Sequence, residues 1–172
     1  MKKTILTYGL LSGLVASVLM TAFSLYFKST GNFENGALFG YAGILLSMLF
    51  VYFGVRSYRD QVSEGGLSFG KAFQVGIFIT IISCICYAVT WLVVYHTIMP
   101  DFMDKYAGHM LAQMKQSGAT EDMIRQQAVE MEKYKAMYQN PLTLIAITFL
   151  EPFPVGSAVT LITSFLLRRK AS

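Results

Sequence analysis

Charged residues are scarce in this chain. They form 14% of its 172 residues and apolar residues form 54%, whereas a typical soluble domain is about 25% charged. Two cysteines are too few for a disulfide scaffold, and the 14 glycines follow no triplet repeat, which excludes a collagen-like chain. The apolar content also excludes intrinsic disorder. The composition therefore predicts a membrane protein, and the length predicts a single domain over residues 1–172.

Charge is missing altogether from three long apolar segments. A transmembrane helix needs about 20 mostly apolar residues, and four segments satisfy this requirement, at residues 5–27, 37–55, 72–99 and 141–167. The first three contain no Asp, Glu, Lys or Arg, and the fourth contains only Glu151. The first is longer than the apolar core of a cleaved signal peptide, about 7 to 15 residues, so we expect it to be retained. We therefore predict an all-α polytopic membrane protein with four transmembrane helices.

Positive charge is distributed unequally between the two sides of these segments. The side with both chain ends carries eight Lys and Arg against two acidic residues, and the other side carries six against seven. The eight are Lys2, Lys3, Arg56, Arg59, Lys71, Arg168, Arg169 and Lys170. Because Lys and Arg near helix ends are retained in the cytoplasm, we predict cytoplasmic termini and an external segment at residues 100–140. The excess of basic over acidic residues thus indicates the topology of the chain and its contact with the lipid bilayer, and we expect no nucleic-acid partner.

Small residues recur at four-residue spacing in the first two segments. They are Gly9, Gly13 and Ser17 in the first, and two pairs, Gly36 with Gly40 and Gly43 with Ser47, in the second. Such stripes let helix backbones approach closely in lipid. We predict that they pack the first two helices against each other, and the alternative is a face that joins two copies in a homo-oligomer.

The connection after the second segment is basic and contains turn residues. Arg56 and Arg59 are expected at the level of the lipid headgroups, where they can contact phosphates, and Ser68 can cap a helix that begins at Phe69. We interpret this connection as a membrane-anchoring turn, and a dedicated site for an anion or a partner is the alternative.

Short motifs in this connection and in the last segment are similar to those of a known family. Residues 56–60 read Arg-Ser-Tyr-Arg-Asp, residues 66–69 read Gly-Leu-Ser-Phe, and residues 154–156, soon after Glu151, read Pro-Val-Gly. With these motifs the chain resembles an uncharacterised family of small bacterial four-span proteins, known as domain of unknown function number 4199. The resemblance extends over essentially the whole chain. It implies a multi-pass protein of the bacterial inner membrane, and it implies no activity, substrate or cofactor.

The third segment contains two cysteines and an aromatic end. Cys84 and Cys86 lie about 200° apart around a helix axis, so they can neither form a disulfide nor share a metal ion. Trp91, Tyr95 and His96 follow toward the external end, where amphipathic rings settle at the membrane interface.

The external segment carries the signals of two helices. Pro100 and Asp101 suit the first turn of a helix, and a glycine at position 118 ends it. Thr120 can cap a second helix, which should continue to about Gln139, just before Asn140 and a proline. We predict an αα-hairpin over about residues 100–140, between the third and fourth transmembrane helices.

Methionine is concentrated in this hairpin, which holds seven of the ten in the chain when Met99 is included. Helical spacing places Met99, Met103, Met110 and Met114 on one side of the first helix, and Met123, Met131, Tyr134 and Met137 on one side of the second. Thioether pairs with His96 and His109 nearby could bind Cu(I). A flexible face around Met110 and Met114 could instead receive an apolar partner or ligand. The third interpretation, which we favour, is that the two faces pack on each other or on the membrane surface.

Glu151 is the one Asp, Glu, Lys or Arg residue within the four apolar segments, and two prolines follow it. Pro152 and Pro154 lack an amide hydrogen and disfavour helix in the preceding residue, so they predict a kinked or broken helix with a carboxyl group at the break. Such a carboxyl group normally faces the protein interior or a cavity. We predict that it faces polar groups of the third helix, such as Gln74 or Thr80. It serves either to fix helix packing or, with freed carbonyl groups, as a proton or cation site.

Enzyme motifs are absent from the sequence, and we assign no catalytic, cofactor-binding or metal-binding residue. The favoured function is a non-enzymatic integral membrane protein that presents its methionine-rich hairpin to a membrane-protein partner or to a second copy. The alternative is a small transporter or ion-conducting subunit that uses Glu151 at the proline-broken helix.

Overall fold

The computed structural model describes residues 1–32, 35–63 and 66–168. Arg169 and Lys170, counted above among the basic residues, lie outside this part of the chain. The described residues form seven helices: α1 (Lys2–Thr30), α2 (Gly36–Gln61), α3 (Phe69–Thr97), α4 (Phe102–Gln116), α5 (Glu121–Gln139), α6 (Pro141–Leu150) and α7 (Pro152–Leu167). The prediction of an all-α fold is therefore confirmed.

Four helical segments are long and apolar enough to cross a membrane. They are α1, α2, α3 and the pair formed by α6 and α7, which together cover Pro141–Leu167. Leu6, Leu10 and Leu14 are more than half exposed along one side of α1, and an exposed apolar stripe of this kind suits contact with lipid. The chain is thus an integral membrane protein with four spanning helices, as the apolar segments predicted.

The helix ends follow the predicted capping residues. The Ser68 hydroxyl accepts a hydrogen bond from the Lys71 amide, and the Thr120 hydroxyl accepts one from the Met123 amide, each at 3.4 Å. The Asn140 side chain accepts bonds from the first amides of α6. Gly118, with φ +78°, occupies the left-handed region beyond the end of α4, where a side chain would be strained. α4 and α5 form the predicted hairpin, and Lys135 of α5 pairs with Asp104 of α4.

The glycine stripe of α1 packs against α3, so the prediction that it packs against α2 is wrong. A Cβ atom at Gly13 would lie 2.6 Å from Cys86 Cβ, and one at Gly9 would lie 2.8 Å from Ile82 Cβ. One turn further along, the Ser17 and Thr90 hydroxyls are 2.7 Å apart. The small residues on α1 therefore set the close approach of the first and third spans, which are not neighbours in sequence.

α2 packs against α1 through the second half of its own stripe. A Cβ atom added at Gly43 would lie 3.5 Å from the Phe23 ring and 3.6 Å from Leu19 Cβ, both on α1. The buried Ser12 hydroxyl lies within hydrogen-bonding distance of both the Ser47 carbonyl, at 2.7 Å, and the Ser83 hydroxyl, at 2.8 Å. This group joins α1, α2 and α3 at one level of the bundle.

The two halves of the fourth span have different neighbours. α7 packs against both α2 and α3, whereas α6 packs against α3 and α5. The Thr80 and Thr160 hydroxyls, 3.1 Å apart, join α3 to α7, and Gly156 packs closely against Thr80. Within the described part of the chain, α6 makes no comparable contact with α2. α2 and α3 therefore both pack against the α7 half of the fourth span, and only α3 of these two packs closely against the α6 half.

Candidate functional site

A cavity of about 780 Å³ lies between the hairpin and the half of the bundle that is next to it. The end of the bundle next to this space is the hairpin end, and the opposite end, where α1 begins and α7 ends, is the terminal end. We call the space itself the hairpin cavity. Its lining comes from the late part of α1, the early part of α2, the late part of α3, α4, α5 and α6, and includes Phe23, Gly40, Tyr41, Tyr87, Trp91, Met99, Phe102, Met103, Tyr106, His109, Met110, Glu130, Met131, Tyr138, Thr148 and Glu151. The cavity therefore unites the two regions that the sequence marks separately, the methionine-rich hairpin and the proline break.

Glu151 lies at the junction of α6 and α7 and is exposed to the cavity that it lines. α6 ends at Leu150 and α7 begins at Pro152, so the predicted interruption is present. The Glu151 backbone keeps right-handed helical angles, φ −66° and ψ −56°, so the chain passes the break without a loop. The prolines thus interrupt the helix at the point where the neighbours of the span change from α3 and α5 to α2 and α3.

The partner of Glu151 is Tyr87, which differs from the prediction. The Tyr87 hydroxyl donates a hydrogen bond to Glu151 Oε2, at 3.3 Å. The Thr80 hydroxyl is instead engaged with Thr160 and with the Gly156 carbonyl. Gln74 is exposed and lies on α3 roughly 20 Å along the helix axis from Tyr87, at 1.5 Å per residue. The prediction that Glu151 faces α3 is correct, but the position along α3 is wrong. Thr80 contacts α7, whereas Glu151 at the break contacts Tyr87.

Thr148 lies one turn before Glu151 and also lines the cavity. Its side chain is 4% exposed, and its Oγ1 has no hydrogen-bond partner among the described residues. A buried hydroxyl without a partner is costly. We call the part of the cavity at Glu151 its deep end. It holds a carboxyl group and, one turn earlier in the chain, a hydroxyl without a partner among the described residues.

The methionines of the hairpin are divided between the cavity and the outer surface. Met99, Met103 and Met131 are buried and line the cavity, as does the half-buried Met110. Met114 is half-buried and is not part of the lining. Met123 and Met137 are exposed, at 54% and 46%. We call the four that line the cavity, Met99, Met103, Met110 and Met131, the inner methionines.

Aromatic side chains of α3 and the hairpin surround the same space. Trp91 meets Phe102 edge to face at 4.9 Å between ring centroids, and Tyr95 meets Tyr138 at 5.5 Å. Burial, and after it the nearby Glu151 carboxylate, raise the pKa of Tyr138 to about 12. The hydroxyl of Tyr138 is thus held in its neutral form near the deep end of the cavity.

Sequence reasoning missed Tyr87 and Tyr138 as members of the site. A signal for the first was available, because Tyr87, Trp91 and Tyr95 recur at four-residue spacing and so share one side of α3. The same spacing marks Gly36 and Gly40 of α2, which both line the cavity. Gly36 also lies beside Phe27 of α1, whereas Gly40 has open space next to it.

Arg56 and Arg59 lie at the terminal end of the bundle, in the last turns of α2, and the structure does not bring them to the cavity. Arg59 Nε donates to Asp60 Oδ1 at 2.7 Å, and Arg56 Nε lies 3.6 Å from Asp60 Oδ2. The two side chains thus share one carboxylate within their own helix.

A metal centre needs several histidine, cysteine or acidic side chains close together. No cluster of three such residues occurs in residues 1–32, 35–63 and 66–168. Cys84 and Cys86 are both free thiols on α3. His109, Met103 and Met110 all line the cavity. Binding of Cu(I) by thioethers stays a prediction of the sequence.

The fold and the cavity together define a class: an all-α integral membrane protein with four spanning helices and an inserted helical hairpin that covers one end of the bundle. The chain belongs to the family described as "Protein of unknown function (DUF4199)", whose sequence model matches residues 7–169. The resemblance seen in the motifs around Arg56 and Glu151 is thereby confirmed. No curated protein and no solved structure matches the chain.

Proposed function

We propose that this membrane protein binds a small, largely apolar molecule in the hairpin cavity and acts without catalysis. The observation that carries the proposal is that the inner methionines of the hairpin and the aromatic side chains of the bundle line one space of about 780 Å³. Small-molecule sites have volumes of about 300 to 1,000 Å³, with mostly apolar walls and a few polar groups. The Tyr87 hydroxyl and the Glu151 carboxyl group supply such polar groups here.

Binding of a ligand accounts for the inward position of the methionines. Met99, Met103 and Met131 are buried, so they are not available to a protein that docks on the outside of the hairpin. Unbranched thioether side chains adapt to ligands of different shape. The methionines exposed to a macromolecular partner or a second copy are Met123 and Met137.

The proposal can be tested with N-phenyl-1-naphthylamine, a neutral apolar dye. Trp91 is the one tryptophan in the chain and lines the cavity, so energy transfer from it reports dye bound nearby. We expect transfer that saturates with dye concentration when the purified protein is in neutral detergent. Transfer that rises without saturation, as simple partitioning into micelles predicts, would contradict the proposal.

A cavity-filling variant locates the bound dye. Gly40 lines the cavity, and a Cβ atom added there would meet nothing within 4 Å, so Gly40→Leu should fold and occupy the space. We expect it to weaken dye binding by roughly tenfold or more. Gly70→Leu is the matched control, because Gly70 also has open space beside it and does not line the cavity. Equal dye affinity in both variants would place the dye elsewhere.

Transport is the second candidate, and the observation in its favour is the position of Glu151. The cavity reaches from the hairpin to this carboxyl group, where the fourth span is interrupted. Interrupted helices with freed carbonyl groups form the ion sites of many transporters. Proton flux into proteoliposomes that is present with the wild type and absent with Glu151→Gln would support transport. Equal flux with the two proteins would exclude a transport role for Glu151 and leave ligand binding as the one proposal.

A further inference from the structure

The lining of the hairpin cavity is acidic. Glu130 and Glu151 both line it, and among the described lining residues there is no lysine or arginine. His109 is the one lining side chain in that set that can carry a positive charge. The cavity is therefore complementary in charge to a cation rather than to an anion.

The deep end has the polar atoms that an ammonium group needs. Glu151 is exposed to the cavity, and Tyr87 bonds to one of its carboxyl oxygens, Oε2. Thr148 Oγ1, one turn away on α6, is buried without a hydrogen-bond partner among the described residues and is thus a second acceptor. This unpartnered hydroxyl is an observation independent of the acidic charge, and both point to a donor from outside the chain.

Aromatic rings form part of the wall of the cavity. Tyr87, Trp91 and Tyr138 line the cavity, and Phe102 lies against Trp91. The Tyr87 hydroxyl bonds to the carboxyl group itself. The faces of such rings attract cations, most strongly where water is excluded. Walls of this type bind a positive charge and an apolar body at once.

We infer that the hairpin cavity binds an amphipathic organic cation, such as an aromatic or alkyl ammonium compound. The charged end lies at Glu151 and Thr148, and the apolar part contacts the inner methionines and the rings. The inference rests on the proposed function, because it names the chemical class of the ligand of that same site. An anion or a neutral molecule as the true ligand would be revealed by the experiment below.

The effect of ligand charge can be distinguished from the effect of ligand apolarity with two ions of nearly equal size and shape. Tetraphenylphosphonium is a permanent cation and tetraphenylborate is the corresponding anion. Each is titrated against wild-type protein loaded with N-phenyl-1-naphthylamine, and displacement is followed by loss of energy transfer from Trp91. We expect the cation to displace the dye at a concentration at least roughly tenfold lower than the anion, after correction for partitioning into micelles.

Glu151→Gln tests whether the carboxyl group recognises the charge. We expect the affinity for tetraphenylphosphonium to fall by roughly tenfold or more, while the affinity for the neutral dye stays unchanged. Glu132→Gln is the matched control, since it changes the net charge equally on an exposed part of α5 that does not line the cavity. If Glu151→Gln yields no folded protein, the comparison of the two ions on the wild-type chain decides alone.

The possible outcomes separate this inference from the proposed function. Saturable dye binding that both ions displace equally, or that the anion displaces better, would overturn the inference and leave the binding site in place. Unchanged affinity of folded Glu151→Gln for the cation would overturn it as well. Absence of saturable dye binding and of cation binding would overturn both proposals.

Discussion

The Tyr87 hydroxyl donates a hydrogen bond to the Glu151 carboxyl group, with 3.3 Å between Tyr87 Oη and Glu151 Oε2. The bond connects α3 to the junction of α6 and α7 at the deep end of the hairpin cavity. Because polar groups within the membrane have few other partners, this contact orients the carboxyl group toward α3.

Tyr87→Phe should therefore destabilise the protein modestly. The substitution keeps the ring and removes only the donor, so we expect a loss of about 0.5 to 1.5 kcal/mol in the free energy of unfolding. The measurement is detergent-induced unfolding followed by circular dichroism. Tyr41→Phe, at an exposed residue of the same cavity, is the control and should unfold as the wild type does. Equal unfolding of all three proteins would show that the hydrogen bond contributes nothing.

Gly13→Ala should disturb the contact between α1 and α3. The added Cβ atom would lie 2.6 Å from Cys86 Cβ and 2.7 Å from its sulfur, so the helices must move apart. We expect a loss of about 1 to 3 kcal/mol in the free energy of unfolding. Gly40→Ala is the matched control, because its Cβ atom meets nothing within 4 Å and alanine has a higher helix propensity than glycine. A Gly13→Ala protein as stable as Gly40→Ala would mean that this helix contact is loose.

Local features of the structure could be predicted from the sequence. Ser68 and Thr120 cap α3 and α5 because a hydroxyl before a helix satisfies a free amide a few residues later, which depends on neighbouring residues only. The prolines after Glu151 interrupt the fourth span for the same kind of reason, since the missing amide hydrogen is a property of the residue itself.

The neighbours of each helix could not be predicted in this way. Gly13 and Ser17 signal a close approach to some helix, but a small residue fits the first span against α2 or α3 equally well. Which one it meets depends on all the side chains of the bundle together. The cavity was missed for the same reason, because Met103, Tyr87 and Glu151 come together only when three separate parts of the chain are packed.

The titration of Tyr138 should report its proximity to Glu151. Burial and the carboxylate raise its pKa from 10.0 to about 12. Because the folded value lies above the unfolded one, the neutral hydroxyl contributes stability that is fully present below pH 10.0 and is lost as the pH rises through about 12. The difference between ultraviolet titrations of the wild type and Tyr138→Phe isolates this group. We expect the difference to be centred near pH 12 and to move lower in Glu151→Gln, and a centre at the ordinary value would contradict the arrangement.

The orientation of the chain can be tested with single cysteines at the two ends of the bundle. Lys and Arg are concentrated on the side that carries the chain ends, which predicts that this side is cytoplasmic and that the turn between α4 and α5 is external. In intact cells, a membrane-impermeant maleimide should therefore label Ser117→Cys, at an exposed residue of that turn. Gln61→Cys, at the exposed end of α2, should react only after the cells are permeabilised. Labelling of the wild-type protein serves as the control for reaction of the native Cys84 and Cys86 in α3. The reverse pattern would place the hairpin cavity on the cytoplasmic side, so that its ligand would be drawn from inside the cell.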